Sequence, residues 1–281
     1  MNEKGIDVND LSFIAYSHGP GLAPCLLEGL EIAKKIALKN NLPLVPVNHS
    51  ISHLEIFKLL TNVKDPVVLY VSGPNTQIIS YSANKYRIFG ETLDIGVGNL
   101  IDSFARHCGI GFPAGPKIEA LALRNPGSLS PPTFIELPYT VKGMDVAFSG
   151  LFTNLKQKYD KAQDKEQALK DLAFSLQETA FAMLLEASER ALAFLNKKEL
   201  ALTGGVACNK RLQEMARIMC QERKAKVFTL SNEFLGDNGL MIAYTGMLMA
   251  KNKKNLISLS RIKKANINPY ERTDYVDVNW I

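Results

Sequence analysis

Only four histidines occur in the 281 residues, and two of them stand four apart in His49-Ser50-Ile51-Ser52-His53. If this stretch is helical, residues i and i+4 share a face, so both imidazoles reach the same point. Two neutral imidazoles on one face make half a metal site, to be completed by hard or borderline ligands from elsewhere in the chain. Taken alone, the pair is explained equally well by one ring that caps or packs and one that is solvated. Cys25, Cys108, Cys208 and Cys220 are scattered singly, without a CxxC spacing. That pattern argues against a thiolate zinc site and against a disulfide-held scaffold, and favours buried free thiols.

The other chemistry-bearing residues lie in small-residue loops. Gly204-Gly205-Val206-Ala207-Cys208-Asn209 joins an apolar run at residues 200–203 to a helical stretch at residues 210–222. Strand, paired glycines and helix N-terminus form the most phosphate- or nucleoside-friendly geometry in the chain. Asn209 there has the composition of a plain N-cap. Ser72-Gly73-Pro74-Asn75-Thr76-Gln77 is a weaker signal of the same kind, because hairpins use glycine for ordinary reasons too. Glu119 lies one turn into a helix that Pro116 opens. It is placed either to hold two ribose hydroxyls or simply to face solvent. Asp102 and Arg106 have the spacing of an i,i+4 pair. Asp237 precedes an apolar helix at residues 240–249, where the helix dipole favours an acid as a cap or as a ligand.

These residues need strands and helices to position them. Strands are expected at residues 12–17, 44–47, 67–71, 78–80, 86–90, 134–137, 200–203 and 226–230, and helices at 23–39, 49–60, 100–106, 169–195, 210–222 and 240–249. Residues 1–11 read as a polar helix tail or linker, and residues 125–132 as an exposed loop. The alternation is that of an α/β protein. With 46% hydrophobic and 22% charged residues the chain has a globular composition, and its net charge of +5 is mild. No stretch reaches the roughly 18 apolar residues of a membrane span, and the N-terminus lacks a signal-peptide pattern, so a cytoplasmic location is the default. Lys251, Lys253, Lys254, Arg261, Lys263 and Lys264 form the densest basic run: a solvated surface, or a contact with nucleic-acid phosphates. P-loop, GxGxxG, HExxH and GxSxG motifs are absent.

Five segments in order carry a family resemblance: His49 to His53, Tyr70-Val71-Ser72-Gly73-Pro74-Asn75-Thr76-Gln77, Gly90-Glu91-Thr92-Leu93-Asp94, Gly111-Phe112-Pro113-Ala114-Gly115-Pro116, and Gly204 to Asn209. Together they resemble the TsaD/Kae1 family of tRNA N6-adenosine threonylcarbamoyltransferases, closer to its archaeal and eukaryotic branch. The resemblance implies an α/β actin/hexokinase/Hsp70-like fold of two lobes, with residues 1–66 and 241–281 in the first, residues 67–240 in the second, and a cleft between them for metal and nucleotide. It implies transfer of threonylcarbamoyl from threonylcarbamoyl-AMP to N6 of adenosine 37 in tRNAs reading codons that begin with A. It also implies one iron or zinc ion held by His49, His53, Tyr70 and Asp237, the two histidines acting through that metal. Contacts to ATP, AMP or the adenylate are implied for Tyr70, Val71, Ser72, Gly73, Pro74, Asp102, Gly115, Glu119 and Asn209. The implied partners are tRNA and the KEOPS complex, with a Bud32-type kinase, a Pcc1-type dimeriser and a Cgi121-type subunit.

Two departures from the family pattern stand out. The chain starts after the family's leading strands and early phosphate loop, so the first lobe reads as N-terminally incomplete. Pro74 replaces a glycine, which removes one N–H donor and restricts φ. No residue is singled out as a general base. The alternative to a transferase is a nucleotide-binding scaffold or ATPase subunit of the same complex; a metalloprotease is disfavoured by the absence of HExxH, and a sugar or acid kinase by the missing N-terminal loop.

Overall fold

A computed structural model of the chain describes residues 7–123 and 130–280. Residues 1–6 of the polar N-terminal stretch and residues 125–129 of the expected loop lie outside them. In chain order the elements are β1 (Ile14–Gly19), α1 (Ala23–Lys39), β2 (Leu44–Asn48), α2 (His49–Leu60), β3 (Val67–Val71), β4 (Thr76–Ser82), β5 (Lys85–Glu91), α3 (Val97–His107) and α4 (Gly115–Leu121). There follow β6 (Val141–Lys142), β7 (Asp145–Val146), α5 (Ser149–Lys161), α6 (Lys165–Phe194), β8 (Glu199–Thr203), α7 (Lys210–Glu222), β9 (Lys226–Phe228), α8 (Asn232–Leu235) and α9 (Gly239–Ala250). They group into two compact units, Met1–Asn62 with Tyr81–Arg87 and Asp237–Ile281, and Val63–Ser80 with Ile88–Gly236.

In the first unit β1 runs parallel to β2, with Ile14 opposite Leu44 and Ser17 opposite Val47. Both strands end where chemistry begins: β1 at His18 and Gly19, and β2 at Asn48, the N-cap of α2. The Asn48 side chain accepts the Ile51 N–H at 3.0 Å, so α2 starts at His49 for a local reason. One side of the unit's core gathers Tyr16, Leu30, Ala33, Ala37, Leu44 and Ile262.

The second unit holds most of a five-stranded sheet in the order β5-β4-β3-β8-β9, with β3 antiparallel to β4 and parallel to β8. β3 is buried along its whole length, as its unbroken apolar run requires. α6 packs through Leu172, Leu176, Phe181, Leu184 and Leu192, all buried, which matches the periodicity of its sequence. Residues 134–137 are not the strand expected of them. The N–H groups of Thr133 and Ile135 donate to Asp171 Oδ1 and Ser175 Oγ of α6, each at 2.7 Å, so helix side chains take the donors that a strand partner would have used. Asp102 and Arg106 form no ion pair. No helix among the described residues is long and apolar enough to cross a membrane.

Asp94 anchors the start of α5 from a distance. Its carboxylate accepts the N–H groups of Phe148 at 2.8 Å and Ser149 at 2.9 Å, and that of Ile95 at 2.6 Å. Burial alone would raise its pKa, but these donors outweigh it and hold the carboxyl below the usual carboxylate range. A depressed folded-state pKa contributes stability that is present above about pH 4 and lost as the pH falls through the folded value. Asp94→Ala is therefore expected to lower stability by about 1 kcal/mol at pH 7. Urea unfolding at stepped pH should show that difference shrinking below about pH 4.

Candidate functional site

The first unit brings together the two histidines that the spacing singled out. His49 opens α2 and His53 lies one turn on; their rings meet edge to face with centroids 5.0 Å apart. Each Nε2 is 3.1 Å from Oδ1 of Asp237. Asp237 is not the cap of α9. Asn238 fills that role, accepting the Met241 N–H at 2.9 Å, which leaves the aspartate turned to the imidazoles. His53 is buried with 1% of its side chain exposed, whereas Asp237 is 78% exposed, so the cluster has a closed floor and an open side.

This geometry fits an ion. Donors bound to a common zinc at about 2.0–2.1 Å lie roughly 3 Å apart, and two imidazoles with a carboxylate suit zinc or iron. Three protein donors leave coordination positions for a substrate. Hydrogen bonding by the two imidazoles, first His49 and then His53, holds the Asp237 carboxyl far below the usual carboxylate range. Burial pushes His53 below the ordinary imidazole value, and this outweighs the opposing pull of Asp237. His53 is thus neutral at pH 7, the form that ligates a metal. Tyr70, the fourth ligand implied by the resemblance, lies on β3 in the second unit with 2% exposure.

A residue that the sequence did not point to supports this helix. Glu271 accepts from Asn48 Nδ2 at 3.0 Å through one oxygen and pairs with His18 Nδ1 at 3.3 Å through the other. The C-terminal segment carrying it is tied back to β1: Asn268 N–H donates to His18 O at 2.8 Å, and Tyr16 OH donates to Asn266 O at 3.1 Å. Glu271 therefore fixes the N-cap immediately before His49. Glu271→Ala is expected to weaken zinc binding roughly tenfold, as loss of an outer-shell partner does. Titration against a competing chelator measures this, with unchanged far-UV dichroism showing that α2 persists.

The second unit contains a cavity of about 400 Å³, within the range of small-ligand sites. Of the nucleotide residues expected from the sequence, Gly73, Asp102, Gly115, Glu119 and Asn209 line it; Tyr70, Val71, Ser72 and Pro74 do not. Ile101, Phe112, Pro113 and Val206 supply apolar wall. Gly96 and Gly98 allow the start of α3 to lie against the Ser72–Pro74 turn: a Cβ on Gly98 would stand 2.5 Å from Ser72 O. Within that turn the Ser72 and Asn75 N–H groups bond internally, to Asn75 O at 2.8 Å and Ser72 Oγ at 3.2 Å, and Pro74 has none. The N–H groups of Gly73, Gly205 and Val206, all cavity-lining, find no acceptor among the described residues. Three such donors among the lining of an apolar cavity that also carries two carboxylates match the needs of a phosphorylated nucleoside.

Asn209 fills the N-cap role that its composition suggested and lines the cavity as well. Its Oδ1 accepts from Arg211 N at 2.9 Å and Leu212 N at 3.2 Å, capping α7, and its Nδ2 donates to Gln177. Beside it, Glu119 accepts the Lys210 N–H at 2.8 Å. Asn209→Ala should lower stability by about 1–2 kcal/mol through the lost cap. Asn209→Asp, which keeps the acceptor, should recover most of that in thermal unfolding.

The α/β fold with its mixed five-stranded sheet is shared with solved structures. Consistent with this, the crystal structure of T. kodakarensis HypF superposes with a TM-score of 0.64 at 15% identity, over 88% of this chain and 41% of that one. The family is narrower: a family model described as TsaD, tRNA N6-adenosine threonylcarbamoyltransferase, matches residues 1–244, and the chain belongs to that family. A Methanosarcina mazei protein named "Probable bifunctional tRNA threonylcarbamoyladenosine biosynthesis protein" is 50% identical over 99% of this chain and 48% of its own length. The tRNA N6-adenosine threonylcarbamoyltransferase of Thermococcus kodakarensis is 49% identical over 100% of this chain and 82% of its own length. The chain thus spans about half the length of the bifunctional relatives that it matches.

Proposed function

We propose that this chain transfers threonylcarbamoyl from threonylcarbamoyl-AMP to N6 of the adenosine beside the anticodon of tRNA. The observation that carries the reading is the convergence of His49, His53 and Asp237 on one point, in a chain whose family model is that of the transferase. The cavity of the second unit binds the adenylate. Asp102 and Glu119 accept from ribose hydroxyls, the N–H groups of Gly73, Gly205 and Val206 face phosphate oxygens, and Ile101, Phe112 and Val206 exclude water from the purine.

His49, His53 and Asp237 hold one ion, iron or zinc, which when bound supplies Lewis-acid stabilisation of the negative charge that develops as AMP leaves. The exocyclic amine of adenine is a weak nucleophile, so the chain's main contribution is to present the carbamoyl carbon in a fixed orientation. We place the reaction in the cytoplasm and in an assembly of the KEOPS kind, with a Bud32-type kinase and Pcc1-type and Cgi121-type subunits. Incubating the chain, alone and with those subunits, with threonine-labelled adenylate and unmodified tRNA tests the reading. Label should enter tRNA as N6-threonylcarbamoyladenosine. Release of AMP with no label in tRNA would refute it.

A further inference from the structure

We infer that the exposed basic face of residues 251–264 is the surface on which the chain seats tRNA by its phosphates. This rests on the reading that tRNA is the substrate, and it adds a location that the metal and nucleotide sites do not supply.

The charge of the molecule is concentrated there. Residues 238–270 contain six basic side chains, Lys251, Lys253, Lys254, Arg261, Lys263 and Lys264, and no acidic one. The rest of the chain then has 27 basic and 28 acidic residues, so the whole +5 excess resides in this segment. All six are exposed, and among the described residues none is engaged in an ion pair. Phosphates therefore displace only counterions, with no internal pair to break. With a Debye length of about 8 Å at physiological salt, neighbouring charges within each run, Lys251 to Lys254 and Arg261 to Lys264, act on a polyanion together.

The segment is a fixed frame and not a loose tail. Leu44 and Ile257 exchange main-chain hydrogen bonds at 3.1 and 2.8 Å, which ties the segment to the edge of β2. Asn255 N–H donates to Asn252 O at 3.0 Å, and Arg261 N–H to Ser258 O at 2.8 Å. Ile262 is fully buried, in a cluster with Leu30, Ala33 and Ala37, and Ala265 joins the same cluster. Ile262 and Ala265 thus point inward while the six cations point outward, and of the segment's leucines and isoleucines only Leu259 is exposed, at 40%. A membrane-binding basic segment does the reverse, presenting its apolar side to the lipid beside its lysines. Further on, Tyr270 is 90% exposed and offers a ring on which an unpaired base can stack.

The test uses the full, metal-loaded chain and two variants, Lys251→Gln/Lys253→Gln/Lys254→Gln and Arg261→Gln/Lys263→Gln/Lys264→Gln. Binding of an unmodified tRNA transcript is followed by fluorescence anisotropy across a salt series. At about 0.1 M salt each variant should bind tenfold or more weakly, and its plot of log affinity against log salt should flatten by about two to three, near one for each phosphate that is no longer neutralised. Unchanged metal content and unfolding temperature exclude misfolding as the cause. Wild-type affinity and slope in both variants would overturn the assignment while leaving the transferase reading intact. So would charge-dependent capture of anionic vesicles, or of polyglutamate, in preference to the transcript. Normal tRNA binding with no transfer under any condition would instead overturn the transferase reading and leave this surface standing.

Discussion

His53→Ala is expected to abolish metal binding and, with it, threonylcarbamoyl transfer. His53 has a 1% exposed side chain in the middle of α2, and its Nε2 lies 3.1 Å from the same carboxylate oxygen that His49 addresses. Removing it leaves one imidazole and one exposed carboxylate, a pair with little hold on a first-row ion. Replacing an outer-shell partner already lowers metal affinity 10–100-fold, so loss of a direct donor should exceed about a hundredfold. Alanine itself favours the helix, and the void left by a ring at this depth costs roughly 1–3 kcal/mol. The protein should therefore still fold. His53→Gln separates the two effects, because it fills most of the space without restoring an imidazole. Elemental analysis after zinc or iron loading should find less than a tenth of the wild-type content in both variants, with circular dichroism unchanged. Wild-type metal content in His53→Ala would remove the residue from the site.

Gly204→Ala should be the most damaging single change to the second unit. Gly204 sits just past β8 at φ +92°, and a Cβ there would stand 2.2 Å from Val71 O and 2.6 Å from Val71 C. Both are backbone atoms at the end of β3, so no side chain can swing away, and the ends of two central strands must move apart. Backbone strain at such a φ costs on the order of 1–3 kcal/mol before the clash is counted. A total destabilisation above about 3 kcal/mol is expected, seen as a large fall in the urea midpoint or as insoluble protein. Gly205→Ala is the control next door: a Cβ there meets nothing within 4 Å. It should change stability by less than about 1 kcal/mol while weakening AMP binding, because its methyl group enters a cavity that Gly205 lines.

The parts legible in the sequence are those governed by local spacing. The i,i+4 histidines share a face because α2 forms where Asn48 caps it, and α1, β3 and α7 occupy the residues that periodicity assigns them. What sequence reading missed depends on partners far along the chain. Residues 134–137 have a strand's composition, yet side chains of α6 about forty residues later take the N–H groups of Thr133 and Ile135. Asp102 has a basic residue at the right interval but lines the cavity instead. Asp237 looked equally suited to cap α9; a neighbour, Asn238, settles the matter by taking the cap, and the imidazoles it meets are 184 and 188 residues away. Glu271 gave no signal at all, because its importance comes only from meeting Asn48 and His18. The N–H groups of Gly205 and Val206, without an acceptor among the described residues, belong to a loop visible in the sequence, but which of its amides stay unpaired is a matter of backbone geometry.

The most direct test is chelation and reconstitution of the purified chain during threonylcarbamoyl transfer, with metal content and labelled tRNA followed on the same samples. Label in tRNA should fall with the ion as the chelator removes it, and return when iron or zinc is restored to wild type but not to His53→Ala. Undiminished transfer by a metal-free wild-type chain would contradict a catalytic metal held by His49, His53 and Asp237.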